Sequence, residues 1–367
     1  MNITTLLTSQ RDPADGRLHT ASAAALQPGW VRLAVRRVSI TTNNVTYALF
    51  GERMSYWQFF PSGQEGWGVV PVWGFADVVE STLPEVAVGT RFFGYWPLAD
   101  TVDLQPTKVS ASGFVDGAAH RAPLPSTYNR YSAAPRNTPA QTEAALAIMR
   151  PLFGTAFLLT DFLQDNDWFG AHQLVLSSAS SKTAYATAWC ARELMASGQG
   201  PAVRLIGLTS RANADFVRRL GLYDSVLGYD EIAQIDPAVP TVFCDFSGSA
   251  EQREQLHSRL GDALRHSAVI GATQFSTGAR DAPLPGAKPT FFFAPDRRRK
   301  RIDDWGPALL MQRVEDSQSR FLQQALSGPT PALRVVTHSG LAAARDVMAE
   351  LAHGRIDPAV GHVIDVS

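Results

Sequence analysis

The stretch Gln173–Leu194, QLVLSSASSKTAYATAWCAREL, decides how the rest of the chain is organised. A short apolar run, Leu174 to Leu176, ends in a cluster of small hydroxyl residues, Ser177 to Ser181. A helical pattern then opens at Lys182 or Thr183, with apolar side chains at Ala184, Ala188, Ala191 and Leu194. Strand, tight turn and helix in that order aim the first free N–H groups of the helix, and its positive dipole end, at one point above the strand. An anion such as a cofactor pyrophosphate is the expected occupant. Lys182 adds a point charge, and Ser178, Ser180, Ser181 and Thr183 add hydroxyl donors. No glycine lies between Ser177 and Ala196, so the G-x-G-x-x-G fingerprint is absent, and small Ala and Ser side chains must let the backbone approach instead. On its own the loop is either a phosphate site or an ordinary strand-to-helix turn.

Composition bounds the rest. The chain has 367 residues, 45% hydrophobic and 18% charged, with a formal net charge of −1. That length accommodates two domains with separate cores. The balance argues against a general nucleic-acid or membrane-surface binder. The run Asp296–Arg301, DRRRKR, is one short basic patch flanked by Asp303 and Asp304, and reads as a solvated or salt-bridged loop. No run of about 18 apolar residues suggests a membrane span. The first 20 residues carry Arg11, Asp12, Asp15 and Arg17 and no apolar core, unlike a signal peptide, so a reducing cytoplasm is the expected compartment. Cys190 and Cys244 sit in apolar patterns as buried thiols, and with His172 and His257 they make no metal-ligand spacing.

Taken in order, residues 1 to about 30 read as polar and irregular. Between Gly29 and Thr42, WVRLAVRRVSITT alternates apolar and polar residues as a half-buried strand does. Val69–Glu80, Gly89–Trp96 and Leu104–Val109 are further short runs cut by Gly and Pro, which predicts a small twisted β-barrel-like domain up to about residue 135. After Ala134–Thr138, Gln141–Leu163 is helical in pattern, with Pro151 expected to split it. Strand and helix then alternate: strands at 174–177, 203–208, 224–227, 241–246 and 268–271, helices at 183–196, 212–220 and 250–265. Helical segments of that length between strands mean right-handed crossovers and a doubly wound parallel sheet. A helix at Gly340–His353 and a strand at Gly361–Val366 close the chain. The domains predicted are 1–138, 139–290 and a closing segment 291–367.

This order of elements resembles the medium-chain dehydrogenase/reductase superfamily, the alcohol-dehydrogenase and quinone-oxidoreductase fold, from about residue 29 onward. IGLTSRANADFVRRLGLYDSVLGYDEI (Ile206–Ile232) looks like the family's second strand, its helix ending in L-G-A and its V-x-x-Y strand. VFCDFSGS from Val242 is similar to its V-F-D-x-V-G-G strand end, and LAAARDVMAELAHGRIDPAVGHVIDV to its closing helix and strand. With N-N-x-T-Y-A at Asn43–Ala48 and S-S-A-S-S-K-T at Ser177–Thr183, the chain looks closest to an uncharacterised bacterial branch. The resemblance implies an α/β fold: a Rossmann-type sheet preceded by a GroES-like β-rich domain. It implies a homodimer as well.

The departures carry information. Where zinc-dependent members place a Cys ligand and a Gly-His-Glu motif, this chain has Asn44 and Trp73-Gly74, and four closely spaced cysteines are lacking. Asn with Trp cannot supply zinc's N or S ligands, which implies a zinc-free member. At the end of the second strand, Thr209-Ser210-Arg211 stands where NAD binders place an acid, with no carboxylate until Asp215. Arg with two hydroxyls suits a 2′-phosphate, and Tyr229 matches the tyrosine of the NADPH-using branch, so NADP(H) is the cofactor implied; otherwise Arg211 and Lys182 are simply solvated helix-start residues and no dinucleotide binds. Phe246 and Ser247, at the VFCDFSGS strand end, and Phe292 in FFFAP (Phe291–Pro295) are the positions the resemblance implies for cofactor contact, although FFFAP by default reads as a buried strand.

Reductases of this fold need a donor for the developing oxyanion or enolate. Tyr47 is the first candidate, as donor or proton source, and Asn44 could hold a carbonyl by its amide. Otherwise both simply pack a strand end. Tyr56, Trp57, Tyr128, Asn129 and Tyr131 either wall an apolar substrate pocket or are ordinary minor-core packing. His120-Arg121 is either an anion-binding pair or a surface pair. Two functions from different classes follow. One is a zinc-independent NADPH-dependent reductase of an enone, quinone or acyl thioester. The other is an NADP(H)-binding protein without redox turnover, with a lyase or isomerase using NADP internally as a thinner third.

Overall fold

The computed structural model describes residues 1–270, 284–355 and 357–366. It divides into two units, Met1–Ile148 with Leu333–Ser367, and Met149–Ala332. The segment 291–367, expected to close over both domains, is therefore split at residue 332.

The amino terminus is not irregular. β1 (Asn2–Ser9) and β2 (Gly16–Ser22) form an antiparallel hairpin around D-P-A-D-G, where Asp12 Oδ1 accepts the Ala14 N–H at 2.9 Å. Such an Asx turn reverses a chain whatever the polarity of its strands. Leu6 and Leu7 are the buried payload of β1. β3 (Val31–Ile40) follows the alternating run, and α1 (Thr42–Leu49) is a short helix where a strand end was expected. β4 (Trp67–Gly68) and β5 (Pro71–Ser81) come next, then β6 (Arg91–Pro97). The predicted strand at 104–109 is two strands, β7 (Thr101–Leu104) and β8 (Pro106–Ser110), and β9 (Gly113–Asp116) and β10 (Arg130–Ala134) complete the set.

α2 (Ala140–Asp165) runs unbroken through Pro151, against expectation. Proline removes the N–H that would bond the Ala147 carbonyl. The Ser39 hydroxyl donates to that carbonyl at 2.8 Å, so no polar group is orphaned. By length and composition α2 could cross a bilayer. In the fold it is a core helix, with Ala145, Ile148, Phe153, Leu159 and Leu163 buried.

The second unit alternates as predicted: β11 (Gln173–Leu176), α3 (Lys182–Ala196), β12 (Arg204–Thr209), α4 (Ala214–Arg219), β13 (Ser225–Gly228), β14 (Thr241–Asp245), α5 (Ala250–Leu260), β15 (Leu264–Val269) and β16 (Pro289–Phe291). The sheet is parallel in the order β13-β12-β11-β14-β15-β16. α5 stops five residues earlier than predicted and β15 starts four earlier; Gly271, the predicted end of that strand, lies outside the described residues. Val175, Ile206, Leu208 and Phe243 form the sheet's buried centre with Leu256 and Leu260 of α5.

α6 (Ala294–Trp305) overturns the loop expected at DRRRKR. Arg297 and Arg301 are buried because they meet Asp161 and Asp165 on α2 at 2.6 to 2.8 Å, and Arg301 also meets Asp304 at 2.6 Å. Arg297 and Arg301 thus belong to a buried ion network, while Arg299 and Lys300 of the same run are exposed. α7 (Pro307–Ala325) packs beside α6 and α3, with Phe321 and Leu322 buried. The chain then returns to the first unit as β17 (Arg334–Ser339), α8 (Gly340–Ala352) and β18 (Val360–Asp365). There the long sheet runs β17-β18-β3-β5-β6-β10-β9-β8, with β7 on β3.

Candidate functional site

In a parallel sheet, ligands sit beyond the carboxyl ends of the strands. The loop after β11 is held there without glycine. Ser178 takes the left-handed conformation at φ +48°, which a non-glycine residue keeps only under constraint. The constraints are specific. Its N–H donates to the Tyr229 hydroxyl at 3.1 Å, the next N–H, of Ala179, donates to Leu208 O at 2.9 Å, and Tyr223 Oη donates to Ala179 O at 3.2 Å. Below the turn, Ser177 is a buried hub: its hydroxyl donates to Asp245 Oδ1 at 2.9 Å and accepts the N–H groups of Phe246 and Ser247 at 2.9 and 3.0 Å. Asp245, fully buried, also accepts from the Gly248 N–H and from Arg253.

This scaffold presents the start of α3. Ser181 is its N-cap and accepts the Ala184 N–H at 3.4 Å. Ser180 Oγ accepts from Asn213 Nδ2 at 3.2 Å. Lys182 and Thr183, half-buried, occupy the first two helical positions, whose N–H groups have no intrahelical acceptors. The residues predicted to meet an anion, Ser178 to Thr183, thus come together at one strand-to-helix turn. Others take different work. Tyr229 holds the turn instead of projecting from it. The Phe246 and Ser247 N–H groups are spent on Ser177, and the Phe292 N–H donates to Val269 O at 2.9 Å. Thr209 is buried, while Ser210 and Arg211 are exposed at the end of β12. Arg211 pairs with Asp230, a residue sequence reading did not single out.

The other candidate cluster lies in the first unit. Tyr47 on α1 and Tyr56 have ring centroids 4.4 Å apart; Tyr95, Trp73 and Tyr128 follow at 4.9 Å (Trp73–Tyr95), 4.8 Å (Tyr95–Tyr128) and 6.2 Å (Tyr56–Tyr128). Trp73 and Tyr95 are cross-strand partners on β5 and β6, a neighbourhood that only the strand register reveals. Trp73 and Tyr128 are half-buried; Tyr47, Tyr56 and Tyr95 are buried. Burial raises all four phenols above the ordinary tyrosine range. The Tyr47 phenol is therefore protonated at neutral pH and a weaker acid than an exposed tyrosine. The Tyr95 hydroxyl is buried with no hydrogen-bond partner.

Some expectations here are corrected. Asn44 spends its amide on the fold, with Nδ2 donating to Pro71 O at 2.9 Å and Oδ1 accepting the Thr41 N–H at 2.7 Å, which caps α1. Trp57 belongs to the main core cluster of this unit. Tyr131 is fully buried, its hydroxyl donating to Tyr95 O and accepting from Arg121, both at 2.8 Å. Arg121 is buried against Asp116 at 3.1 Å, so the His120-Arg121 pair offers no exposed guanidinium to a ligand. Asn129 Nδ2 donates to Arg121 O. A cavity of about 360 Å³ near the start of α2 is lined by Arg37, Arg91, Glu143 and Asp365. Those charges neutralise one another, with Arg37–Asp365 at 2.6 Å and Arg91–Glu143 at 2.6 Å, and it is a structural network. Among the described residues no three His, Cys, Asp or Glu side chains gather as a metal site. Cys190 and Cys244 are buried free thiols.

A family model described as "Protein of unknown function (DUF2855)" matches residues 38–357. No curated protein matches the sequence. Among solved structures, CurA in complex with NADPH from Vibrio vulnificus is similar at 14% identity, covering 99% of each chain with a TM-score of 0.62. A putative NADPH:quinone reductase from Mesorhizobium loti is similar at 14% identity, covering 99% of this chain and 98% of that one, TM-score 0.62. The yhdH oxidoreductase from Salmonella enterica in complex with NADP is similar at 15% identity, covering 99% and 100%, TM-score 0.55. These likenesses show that the chain shares the fold of those proteins over its whole length.

Proposed function

We propose that this chain, which belongs to the family so described, is an NADP(H)-dependent oxidoreductase that reduces an activated C=C or C=O, as in an enone, a quinone or an acyl thioester. The observation that carries the reading is the turn after β11. Ser178 is held at φ +48° by Tyr229 and by its neighbours, which fixes the strand-to-helix turn from which α3 starts, with Lys182 at its first position. A helix start fixed at the carboxyl end of a parallel sheet suits a pyrophosphate. Lys182, Ser180, Ser181 and Thr183 would hold the diphosphate, and Arg211 the 2′-phosphate. The dinucleotide, when bound, supplies the hydride.

The chain's own contribution to the chemistry is the tyrosine cluster. Tyr47 or Tyr56 acts as a neutral phenol donating to a carbonyl oxygen as charge develops there, a stabilisation that low local dielectric strengthens. Trp73 and Tyr128 give a conjugated substrate a flat aromatic wall. We carry forward from the sequence a zinc-free, cytoplasmic homodimer.

Titrating the intrinsic tryptophan fluorescence with NADPH and NADH tests binding, and NADPH consumption over a panel of enones, quinones and acyl thioesters tests turnover. Saturable NADPH binding with turnover on at least one panel member is the expected result. Absence of NADPH binding sinks the reading. Binding without turnover favours the second reading, a nucleotide-binding protein without redox chemistry; the committed amide of Asn44 and the burial of Tyr47 are what favour it.

A further inference from the structure

The sequence after β12 holds no carboxylate before Asp215, and Asp215 is occupied on α4 by Arg218 at 2.9 Å. The acid that reaches the end of β12 comes instead from the neighbouring strand. β12 and β13 pair in parallel with Thr209 opposite Gly228. Two residues beyond each, Arg211 and Asp230 emerge side by side and form an ion pair through Arg211 Nη2 and Asp230 Oδ2. Gly228 favours this arrangement: a Cβ there would stand 2.6 Å from Asp230 Oδ1. The next acid, Glu231, is tied back, accepting the Gly228 N–H at 2.7 Å. Both members of the pair are exposed, the Arg211 side chain at 85% and that of Asp230 at 51%, so the pair adds little to the fold. It does occupy the guanidinium that the proposed function assigns to the 2′-phosphate.

Resting on the NADP(H) reading, we infer that Asp230 is a specificity-determining residue, an internal anion that competes with the nucleotide 2′-phosphate for Arg211. NADPH binds by exchanging one anion for another at that guanidinium. NADH, which has no 2′-phosphate, leaves the pair in place. The discrimination between the two nucleotides is therefore smaller than Arg211 alone would confer. A dianionic phosphate outcompetes a single carboxylate because it brings up to two negative charges and three acceptor oxygens to the guanidinium.

Dissociation constants for NADPH and NADH, measured by tryptophan fluorescence at low ionic strength, test this in the full-length protein, in Asp230→Asn, in Arg211→Gln and in the double variant. Asp230→Asn is expected to tighten NADPH about threefold to fivefold and to leave NADH within about twofold, the scale of one exposed ion pair. Arg211→Gln is expected to weaken NADPH on the order of tenfold and NADH hardly at all. In the Arg211→Gln background the benefit of Asp230→Asn should vanish, because nothing remains to compete for. The inference falls if Asp230→Asn leaves NADPH affinity unchanged, if it tightens NADH equally, or if its benefit persists without Arg211. Failure of the unaltered protein to bind either nucleotide overturns the cofactor reading itself and this inference with it. NADPH binding with a silent Asp230→Asn overturns this inference alone.

Discussion

Two buried polar assemblies, one in each unit, solve the same problem differently. Around Asp245 every described partner is matched: the carboxylate accepts from the Ser177 hydroxyl, from the Ser247 and Gly248 N–H groups and from Arg253. In the tyrosine cluster the hydroxyls are buried among rings, their ionisation is suppressed, and one of them, on Tyr95, has no partner. The first assembly is complete without a ligand, and its role is to fix the backbone from which α3 starts. The second retains unused hydrogen-bonding capacity. A fully satisfied network rigidifies, whereas an unsatisfied buried hydroxyl costs stability that only a binding partner can return.

The contrast breaks first at Asp245. Replacing it by Ala removes the acceptor of Arg253 and of four further donors, the Ser177 and Ser247 hydroxyls and the Ser247 and Gly248 N–H groups, and should cost about 3–5 kcal/mol in urea denaturation. A loss under about 1 kcal/mol would show that the hub is not the keystone described here.

The next effect is one of pH, and it belongs to the second unit. His266 stacks on Phe169 with ring centroids 4.1 Å apart, and desolvation holds its pKa down at about 4. The folded state binds fewer protons than the unfolded chain between that value and the usual 6.5. Stability is therefore fully present above about pH 6.5 and is lost as pH falls toward about 4, by at most about 3 kcal/mol and less with solvent screening. His257, also depressed by burial, acts in the same direction. His266→Phe should flatten the fall measured between pH 7 and pH 4.5. The same slope in both proteins would remove His266 from the account. The phenols of the tyrosine cluster, pushed upward, contribute nothing over this range.

The smallest effects sharpen the comparison inside the first unit. Tyr131→Phe removes a hydroxyl that serves both Arg121 and Tyr95 O, and should cost about 1–3 kcal/mol. Tyr95→Phe removes one that serves nothing, and should be neutral or stabilising by about 1 kcal/mol. If Tyr95→Phe destabilises as much as Tyr131→Phe, the unmatched hydroxyl is not unmatched.

The strand-turn-helix at Gln173–Leu194, the alternation that follows it and the buried cysteines were legible because they depend on local periodicity and side-chain size. The hairpin of β1 and β2 was missed because its strands are polar, although D-P-A-D-G was there to be seen. α2 was wrongly divided because Pro151 looks like a break until Ser39, more than a hundred positions away, is found donating to the freed carbonyl. DRRRKR looked like a solvated or salt-bridged loop; the salt bridges are there, but their partners Asp161 and Asp165 lie on another helix and the run itself is helical.

What the amino-acid order determined alone was the class of architecture and the place of the strand-to-helix turn that opens α3, since strand and helix periods and a run of small hydroxyl residues are properties of neighbours in the chain. What only the tertiary structure decided was the use of each polar group. Asn44 became a cap, Tyr229 a brace, Trp73 and Tyr95 partners across two strands, and Asp230 the counterion of Arg211. A hydrogen bond or an ion pair is settled by which groups meet within about 3 Å, and strand register brings together residues that the sequence holds far apart.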